Sequence, residues 1–286
     1  MDGTTATLLT TSDSPPAPRQ FEGLLRVRFD RRSGATALAD LHQKPPLRML
    51  FPRVDDPLPL GVYTNTAGGL VGGDRALIDI TAGPQTAVTV TAQAAEKVYR
   101  SLGLDTTIAN RLVVQDGAWL EWLPQETIIF DRARLRRTMR IHLEENARVL
   151  AGEILVFGRI ARGESVTTGL VRDAWEVRRA RKLLWADALH LDGDIASVLN
   201  DAACFGAARA YATMIYVGDG TAAMLEVLRE HGLGEGGAAT CIGPVLVVRW
   251  LSADPLALRR SFGKAWTFLR QQARGLPPLL PRIWHI

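Results

Sequence analysis

Cysteine and histidine, the residues that build most structural zinc sites, are both scarce in this chain of 286 residues. The only cysteines are Cys204 and Cys241, and the five histidines lie far apart along the chain. A structural zinc site needs four such ligands, arranged at short spacings, so the sequence predicts none. Two isolated thiols also agree with a reducing compartment.

Long apolar runs are missing as well. No stretch of the sequence approaches the roughly 18 unbroken apolar residues that cross a bilayer as a helix. The N-terminal residues include Asp2, where a secretion signal would carry basic residues. We therefore expect a cytoplasmic protein that does not associate with a membrane.

Lysine is the third scarce residue, with only 4 lysines beside 30 arginines. The planar guanidinium group favours bidentate pairing with carboxylates, so this bias predicts ion pairs with acids of this chain or of a partner. The densest basic run spans residues 131–140 and lacks the interleaved aromatic residues of nucleic-acid modules. Nucleic-acid binding is therefore not expected.

Short alternating segments dominate the sequence from Phe21 onward. Met139, Ile141 and Leu143 alternate with polar residues, which is typical of a strand with one buried face. Turn-forming residues separate such segments at 82–84, 116–117 and 144–146. This spacing predicts a mainly β domain over residues 21–192, and the lack of intervening helical patterns disfavours a Rossmann fold or an α/β barrel.

The two ends of the chain differ from this pattern. Residues 1–20 are rich in Thr, Ser and Pro and are predicted to be a disordered lead. Residues 193–286 predict a mixed layer of strand and helix, with one helix capped by Thr221 and a second capped by Asp254 and ending near Gly275. Because no Pro/Ser-rich linker interrupts residues 21–286, we predict a single domain there.

A glycine-rich segment at residues 64–74 is the most distinctive motif. It does not match a phosphate-binding loop, because Asp74 stands where such a loop carries Lys followed by Ser or Thr. The glycine spacing also differs from the dinucleotide fingerprint. The segment is therefore interpreted as a tight turn.

Four acids are candidates for a functional role. Glu153 lies in a segment that is apolar on both strand faces, so its carboxylate is expected to be buried. A buried charge needs a partner, and the simplest one is an arginine such as Arg159. Glu126 and Asp131 flank a second apolar segment, and Asp74 follows the glycines. Their spacing matches no preformed metal cage.

Several motifs, taken in order along the chain, resemble the UreD (UreH) family of urease accessory proteins. They are NTAGGLVGGD at 65–74, TAQAAEKVYRS at 91–101, WLPQET at 122–127, AGE at 151–153, GRIARGE at 158–164 and PRIW at 281–284. The resemblance covers residues 21–286. It departs at Ala92 and Glu96, where hydroxyl residues are expected.

The resemblance implies a β-helix-like stack of short strands with a small C-terminal helical layer. It also implies a non-catalytic scaffold that conducts nickel to apo-urease, with a helical accessory protein (UreF-type) and a nickel-binding GTPase (UreG-type) as partners. No cofactor is expected to be bound permanently, since nickel is only in transit. On this basis Asp74, Glu126, Asp131 and Glu153 are expected to line or flank a hydrated nickel path. The alternative is a carbohydrate-active β-helix enzyme that uses buried carboxylates.

Overall fold

The computed structural model describes residues 20–285. The predicted disordered lead, residues 1–20, therefore lies outside the described residues apart from Gln20. Seventeen strands form two sheets within the described range. The strands are β1 Glu22–Arg32, β2 Ala35–Lys44, β3 Leu47–Leu50, β4 Leu60–Asn65, β5 Arg75–Ala82, β6 Ala87–Ala92, β7 Glu96–Val98, β8 Thr106–Val114, β9 Trp119–Leu123, β10 Thr127–Ile129, β11 Arg134–Leu143, β12 Arg148–Phe157, β13 Thr168–Arg179, β14 Lys182–Asp194, β15 Ala210–Val217, β16 Gly237–Ile242 and β17 Val245–Ser252.

The chain alternates between the two sheets. Sheet A has the order β14-β13-β11-β8-β5-β1-β2, and sheet B has the order β16-β17-β15-β12-β9-β6-β4-β3, with β10 and β7 attached beside β12. Neighbouring strands in the centre of each sheet are parallel. Each coil from β4 to β13 thus supplies strands to both sheets, which confirms the mainly β, β-helix-like fold.

Three helices follow the main coils: α1 Ile195–Asn200, α2 Thr221–His231 and α3 Pro255–Arg274. Asp254 caps α3, accepting a hydrogen bond from Leu256 N, and Gly275 ends it in the left-handed conformation, as predicted. The predicted cap of α2 is wrong, because Gly220 occupies the cap position and Thr221 is already helical. A left-handed backbone at Gly220 begins this helix without a side-chain bond.

Sheet B separates two apolar cores. The lumen between the sheets contains inward residues such as Val27, Ile80 and Val149. The opposite face of sheet B packs against the helical layer through residues such as Leu150, Phe262 and Trp266. The predicted small C-terminal helical layer is therefore present. No helix within residues 20–285 is both long enough and apolar enough to cross a membrane.

Candidate functional site in the lumen

The lumen is apolar along most of its length, but one level of it is crossed by polar side chains. This polar layer consists of Tyr63, Asn110, Trp122, Thr127, Arg137, Glu153 and Asp173. Buried polar groups are costly unless they are paired. Most of these side chains bond one another, whereas the side-chain oxygen of Asn110 is buried without a hydrogen-bond partner among the described residues.

Arg137 is at the centre of the polar layer. On β11 it continues the inward row of Met139, Ile141 and Leu143, so its guanidinium points into the lumen. It lies opposite Asp173 on the parallel strand β13. Only 2% of Arg137 is exposed. The strand geometry therefore places a charged side chain on the face of β11 whose other residues are apolar.

The Arg137 guanidinium is shared by two carboxylates. Its Nε and second terminal nitrogen donate to the two oxygens of Asp173 at 2.9 and 2.8 Å. The other terminal nitrogen donates to Glu153 Oε2 at 2.5 Å and to Thr127 Oγ1 at 3.0 Å. Burial alone would lower the pKa of Arg137, but the charges of Asp173 and Glu153 raise it above its ordinary value.

Glu153 is buried as predicted, but its ion-pair partner is not the one expected. Arg159 pairs with Glu164 near the surface, whereas Glu153 pairs with Arg137. Trp122 Nε1 and Asn110 Nδ2 donate to the other oxygen of Glu153 at 3.0 and 3.3 Å. Burial raises the pKa of Glu153, and Arg137 opposes that rise.

Tyr63 and Glu96 extend the polar layer toward one edge of the lumen. The Tyr63 ring stacks on Trp122 with centroids 5.5 Å apart. Burial raises the pKa of Tyr63, and the charges of Glu153 and Glu96 raise it further. Asn65 Nδ2 donates to both oxygens of Glu96 at 3.2 Å. Burial raises the pKa of Glu96 to about 7, and the Asn65 bond opposes this.

The polar layer also continues toward the opposite edge. Glu153 lies opposite Thr213 on β15, and Thr213 lies opposite Arg249 on β17. Thr213 Oγ1 donates to the Tyr211 hydroxyl at 3.0 Å, and Arg249 pairs with Asp187 of sheet A. Polar side chains therefore stand at paired positions on β17, β15 and β12, from the half-exposed Arg249–Asp187 pair inward to Glu153.

Asp74, another predicted site residue, is buried in the glycine-rich turn. Its two oxygens accept the amides of Phe21 at 3.0 Å and Val71 at 2.8 Å, so the carboxylate closes the turn. A Cβ at Gly72 would lie 2.3 Å from Ser101 Oγ, which explains the need for glycine there. The negative charge of Asp74 contributes to the raised pKa of Glu96, so the two acids are neighbours.

Glu126 and Asp131, the remaining predicted site residues, lie outside the polar layer. Glu126 pairs with Arg259 in a surface pocket of about 580 Å³. In β10 the next residue, Thr127, bonds Arg137 in the polar layer, so one strand separates this pocket from the lumen. Asp131 accepts the Thr167 amide and hydroxyl, both at 2.7 Å, and backbone and side-chain bonds of Thr167 lower its pKa despite partial burial.

A second buried acid lies on the helical side of sheet B. Glu121 accepts bonds from Arg270 Nε at 2.8 Å, Trp119 Nε1 at 3.1 Å and Thr89 Oγ1 at 2.5 Å. Arg270 also donates to Asp56 at 2.6 Å. Burial raises the pKa of Glu121, and Arg270 opposes the rise.

Sequence reasoning missed Arg137, Asp173, Glu121 and Arg270. The signal for Arg137 was present, because it shares the two-residue period of Met139, Ile141 and Leu143. The same is true of Asp173, which lies on the same buried strand face as Val171, Trp175 and Val177. No cluster of three or more His, Cys, Asp or Glu side chains that could hold a metal ion occurs within the described part of the chain.

The sequence of the chain is similar to those of known proteins. Residues 22–285 match the family model described as "UreD urease accessory protein". The urease accessory protein UreD of Magnetococcus marinus is 45% identical over 274 residues, covering 93% of this chain and 94% of that protein. The UreD proteins of Azorhizobium caulinodans and Xanthobacter autotrophicus are 39% and 43% identical, covering 94% and 93% of this chain and 99% and 90% of their own lengths.

Proposed function

Since the chain belongs to the UreD family of urease accessory proteins, we propose that it is a non-catalytic scaffold that guides nickel to apo-urease. In this proposal it acts in a cytoplasmic complex with a helical accessory protein of the UreF type and a nickel-binding GTPase of the UreG type. Nickel is the cargo of the complex, and no cofactor stays bound.

The observation that carries this proposal is the charge balance of the polar layer. Two carboxylates, Glu153 and Asp173, share a single guanidinium, so the fully ionised group carries one excess negative charge. A divalent cation in an otherwise apolar lumen needs such a charge, because an unpaired ion there is costly. A cation arriving at Glu153 favours its ionised form and releases any proton held by its raised pKa.

The same geometry supports weak binding. Glu153 accepts three hydrogen bonds and Asp173 is held by Arg137, so a passing cation competes with existing donors at each acid. Sites that combine a favourable charge with such competition are shallow, and a conducting path requires that each stop can be left again. In the proposal Glu153 is the central stop, Asp74 and Glu96 lie toward one side, and Glu126 and Asp131 flank the path from outside.

A carbohydrate-active enzyme is not favoured. Hydrolysis of a glycosidic bond needs one protonated and one ionised carboxyl group facing the substrate. Glu153 and Asp173 instead face one arginine and are 4% and 3% exposed. The family match also points to urease maturation rather than to polysaccharides.

The test compares two buried glutamates on opposite faces of sheet B. Glu153→Gln removes the charge in the polar layer, and Glu121→Gln removes the matched charge on the helical side. We expect Glu153→Gln to lower urease activation in a nickel-limited assay by about tenfold, the scale of one lost charged interaction, whereas Glu121→Gln leaves activation of the folded complex unchanged.

Thermal unfolding and co-purification with the partners control for loss of fold or of the complex. Full activation by both Glu153→Gln and Glu153→Ala in an intact complex would remove Glu153 from the path. Substrate turnover by the purified chain alone would overturn the non-catalytic assignment.

A further inference from the structure

The outer face of sheet A carries an unusual arrangement of charge. Its outward side chains form rows across β1, β5, β8, β11, β13 and β14, because these strands pair in register at those positions. Sheet B is covered by α3 on its outer face, whereas sheet A has no corresponding helix among the described residues. Most side chains on this face are half-buried or exposed among the described residues.

Two of these rows are rich in arginine. We call the row through Arg75, Arg136 and Arg172 the first arginine row, and the row through Arg26, Arg111 and Arg140 the second arginine row. Arg136 and Arg140 are four residues apart on β11, which separates the rows by about 13 Å.

Between these rows the side chains are small or apolar. This strip, which we call the trough, consists of Leu77, Ala109, Thr138, Ala174 and Ala188, paired directly across the sheet. Long arginines on both sides of short side chains form a shallow channel that runs across the strands. Its width of about 13 Å matches the diameter of an α-helix with its side chains, about 10–12 Å.

The positive charge of this face is partly neutralised within the described residues, and arginines remain in excess. Asp79 and Glu176 stand in the second arginine row itself, with Glu176 directly opposite Arg140, and Glu22 pairs with Arg75. Asp79 is shared by Arg26 and Arg111, and Asp105 is shared by Arg134 and Arg136. Neither Arg140 nor Arg172 lies within 4.0 Å of a carboxylate in residues 20–285.

The pKa of His142 reflects the positive electrostatic potential of this face. It lies beside the second arginine row, opposite Val113 on β8 and Arg178 on β13. Burial lowers the pKa of His142, and the charges of Arg111, Arg178 and Arg140 lower it further against the opposing charge of Glu176. The imidazole therefore lies in a region of positive potential.

We propose that the trough is the docking site of an acidic amphipathic helix of a partner protein. Its apolar stripe lies on the trough, and its flanking carboxylates pair with the two arginine rows. This follows the usual anatomy of a protein interface, with an apolar centre and charged margins. A single-stranded nucleic acid is less suited to this surface, because the trough and its two rows carry no Phe, Tyr or Trp on which bases could stack. Duplex DNA, which binds through its phosphates, is compared directly in the test below.

The test uses the full chain and a labelled synthetic helical peptide of about 16 residues, long enough to span the trough. One stripe of the peptide is Leu and Ala, and Glu flanks it on both sides. We expect binding to weaken as salt is added. We also expect the pKa of His142, measured by NMR, to rise when the peptide binds.

Charge reversal locates the site. We expect Arg140→Glu with Arg172→Glu to weaken peptide binding by at least about tenfold. The control is Arg53→Glu with Arg260→Glu, which makes the same change in net charge at exposed positions outside the trough and its two arginine rows. Equal weakening by both double variants would reduce the interaction to non-specific attraction and overturn the proposal.

A neutral substitution tests the trough itself. Ala174→Leu fills the channel without changing its charge, so it should also weaken binding, as measured by anisotropy. Unchanged binding by this variant, or tighter binding of duplex DNA than of the peptide, would overturn helix docking. A failure of peptide binding would overturn helix docking without bearing on the nickel path, because the assay measures only peptide binding. Normal peptide binding by Glu153→Gln would show that the two functions are separate.

Discussion

Arg137 makes it possible for two acids to remain in the lumen. Without a partner, each buried carboxylate would have to take up a proton or lose its place in the core. Removing one member of a buried ion pair is usually more damaging than replacing the whole pair by apolar residues. The presence of Glu153, Arg137 and Asp173 together therefore suits a function that needs charge inside the fold.

Glu96 is a residue of a different kind, because its carboxylate accepts bonds from Asn65 and from the Lys97 amide but pairs with no arginine of residues 20–285. Its pKa is about 7 in the folded chain, against 4.5 ordinarily. The folded state therefore binds this proton more tightly than the unfolded state does. The free energy of unfolding should fall as the pH rises through this window and stay level above it.

Glu96→Gln should remove this loss of stability. At alkaline pH we expect the variant to be more stable than the parent by about 1–3 kcal/mol, with the smaller value favoured because solvent still reaches Glu96. Below the unfolded pKa the two proteins should be equally stable. Urea unfolding across the pH range measures the difference, and the exposed Glu145→Gln is the control. A parallel pH profile for Glu96→Gln and the parent would contradict the assignment.

At the scale of elements, Arg270 joins three parts of the chain. From α3 it bonds Glu121 on β9, Asp56 in the loop before β4, and the carbonyl of Pro277 at 2.7 Å. The helical layer is thus fixed to sheet B by charge as well as by apolar packing. Because Glu121 is buried beneath α3, it depends on Arg270 for its charge compensation.

Arg270→Met should therefore destabilise the protein by about 3–5 kcal/mol, because it leaves Glu121 buried without its partner. Arg260→Met, on the exposed side of the same helix, should change the stability by no more than about 0.5 kcal/mol. Denaturant unfolding measures both. Adding Glu121→Leu to Arg270→Met should restore part of the lost stability, and a double variant less stable than Arg270→Met would contradict this account.

The coiled path of the chain explains why the strands are parallel although the sequence has no helical segments between them. A parallel pair in one sheet needs a long connection, usually a helix. Here the strand of the opposite sheet makes that connection, so β5 and β8 are joined through β6 and β7. The two-residue alternation of buried and exposed side chains therefore continues from one strand to the next without a helical segment between them.

At the scale of the whole molecule, sheet B is common to both apolar cores. Its strand β12 is buried on both faces, with Val149 toward the lumen and Leu150 toward the helices. Unfolding of sheet B in one core would therefore expose the apolar residues of the other core as well. The predicted single domain over residues 21–286 should therefore unfold as one unit.

This expectation can be tested with tryptophans in the two cores. Trp175 and Trp185 report on the lumen, whereas Trp250 and Trp266 report on the helical layer. Trp122 also lies in the lumen core, and Trp119 and Trp284 also lie in the helical-layer core. We expect a variant in which all tryptophans of one core are replaced by Phe to show a fluorescence transition coincident with its own far-UV circular dichroism during urea unfolding. Separate transitions for the lumen and the helical layer would indicate two domains.

The sequence by itself determined those features that depend on local periodicity. Alternation along β11, the cap and stop of α3, and the burial of Glu153 on β12 all follow from the character of adjacent residues. The ordered motifs likewise sufficed for the family. Each of these properties is encoded within a few residues of where it appears.

Tertiary structure alone decided the partners of the buried charges. Arg137 rather than Arg159 pairs with Glu153, and Arg270 reaches Glu121 from a distance of 149 residues along the chain. With 30 arginines available, local pattern cannot select between them, because pairing depends on which coils stack in register. The polar layer exists only because seven strands, β4 and β8 to β13, bring their polar residues to one level of the lumen.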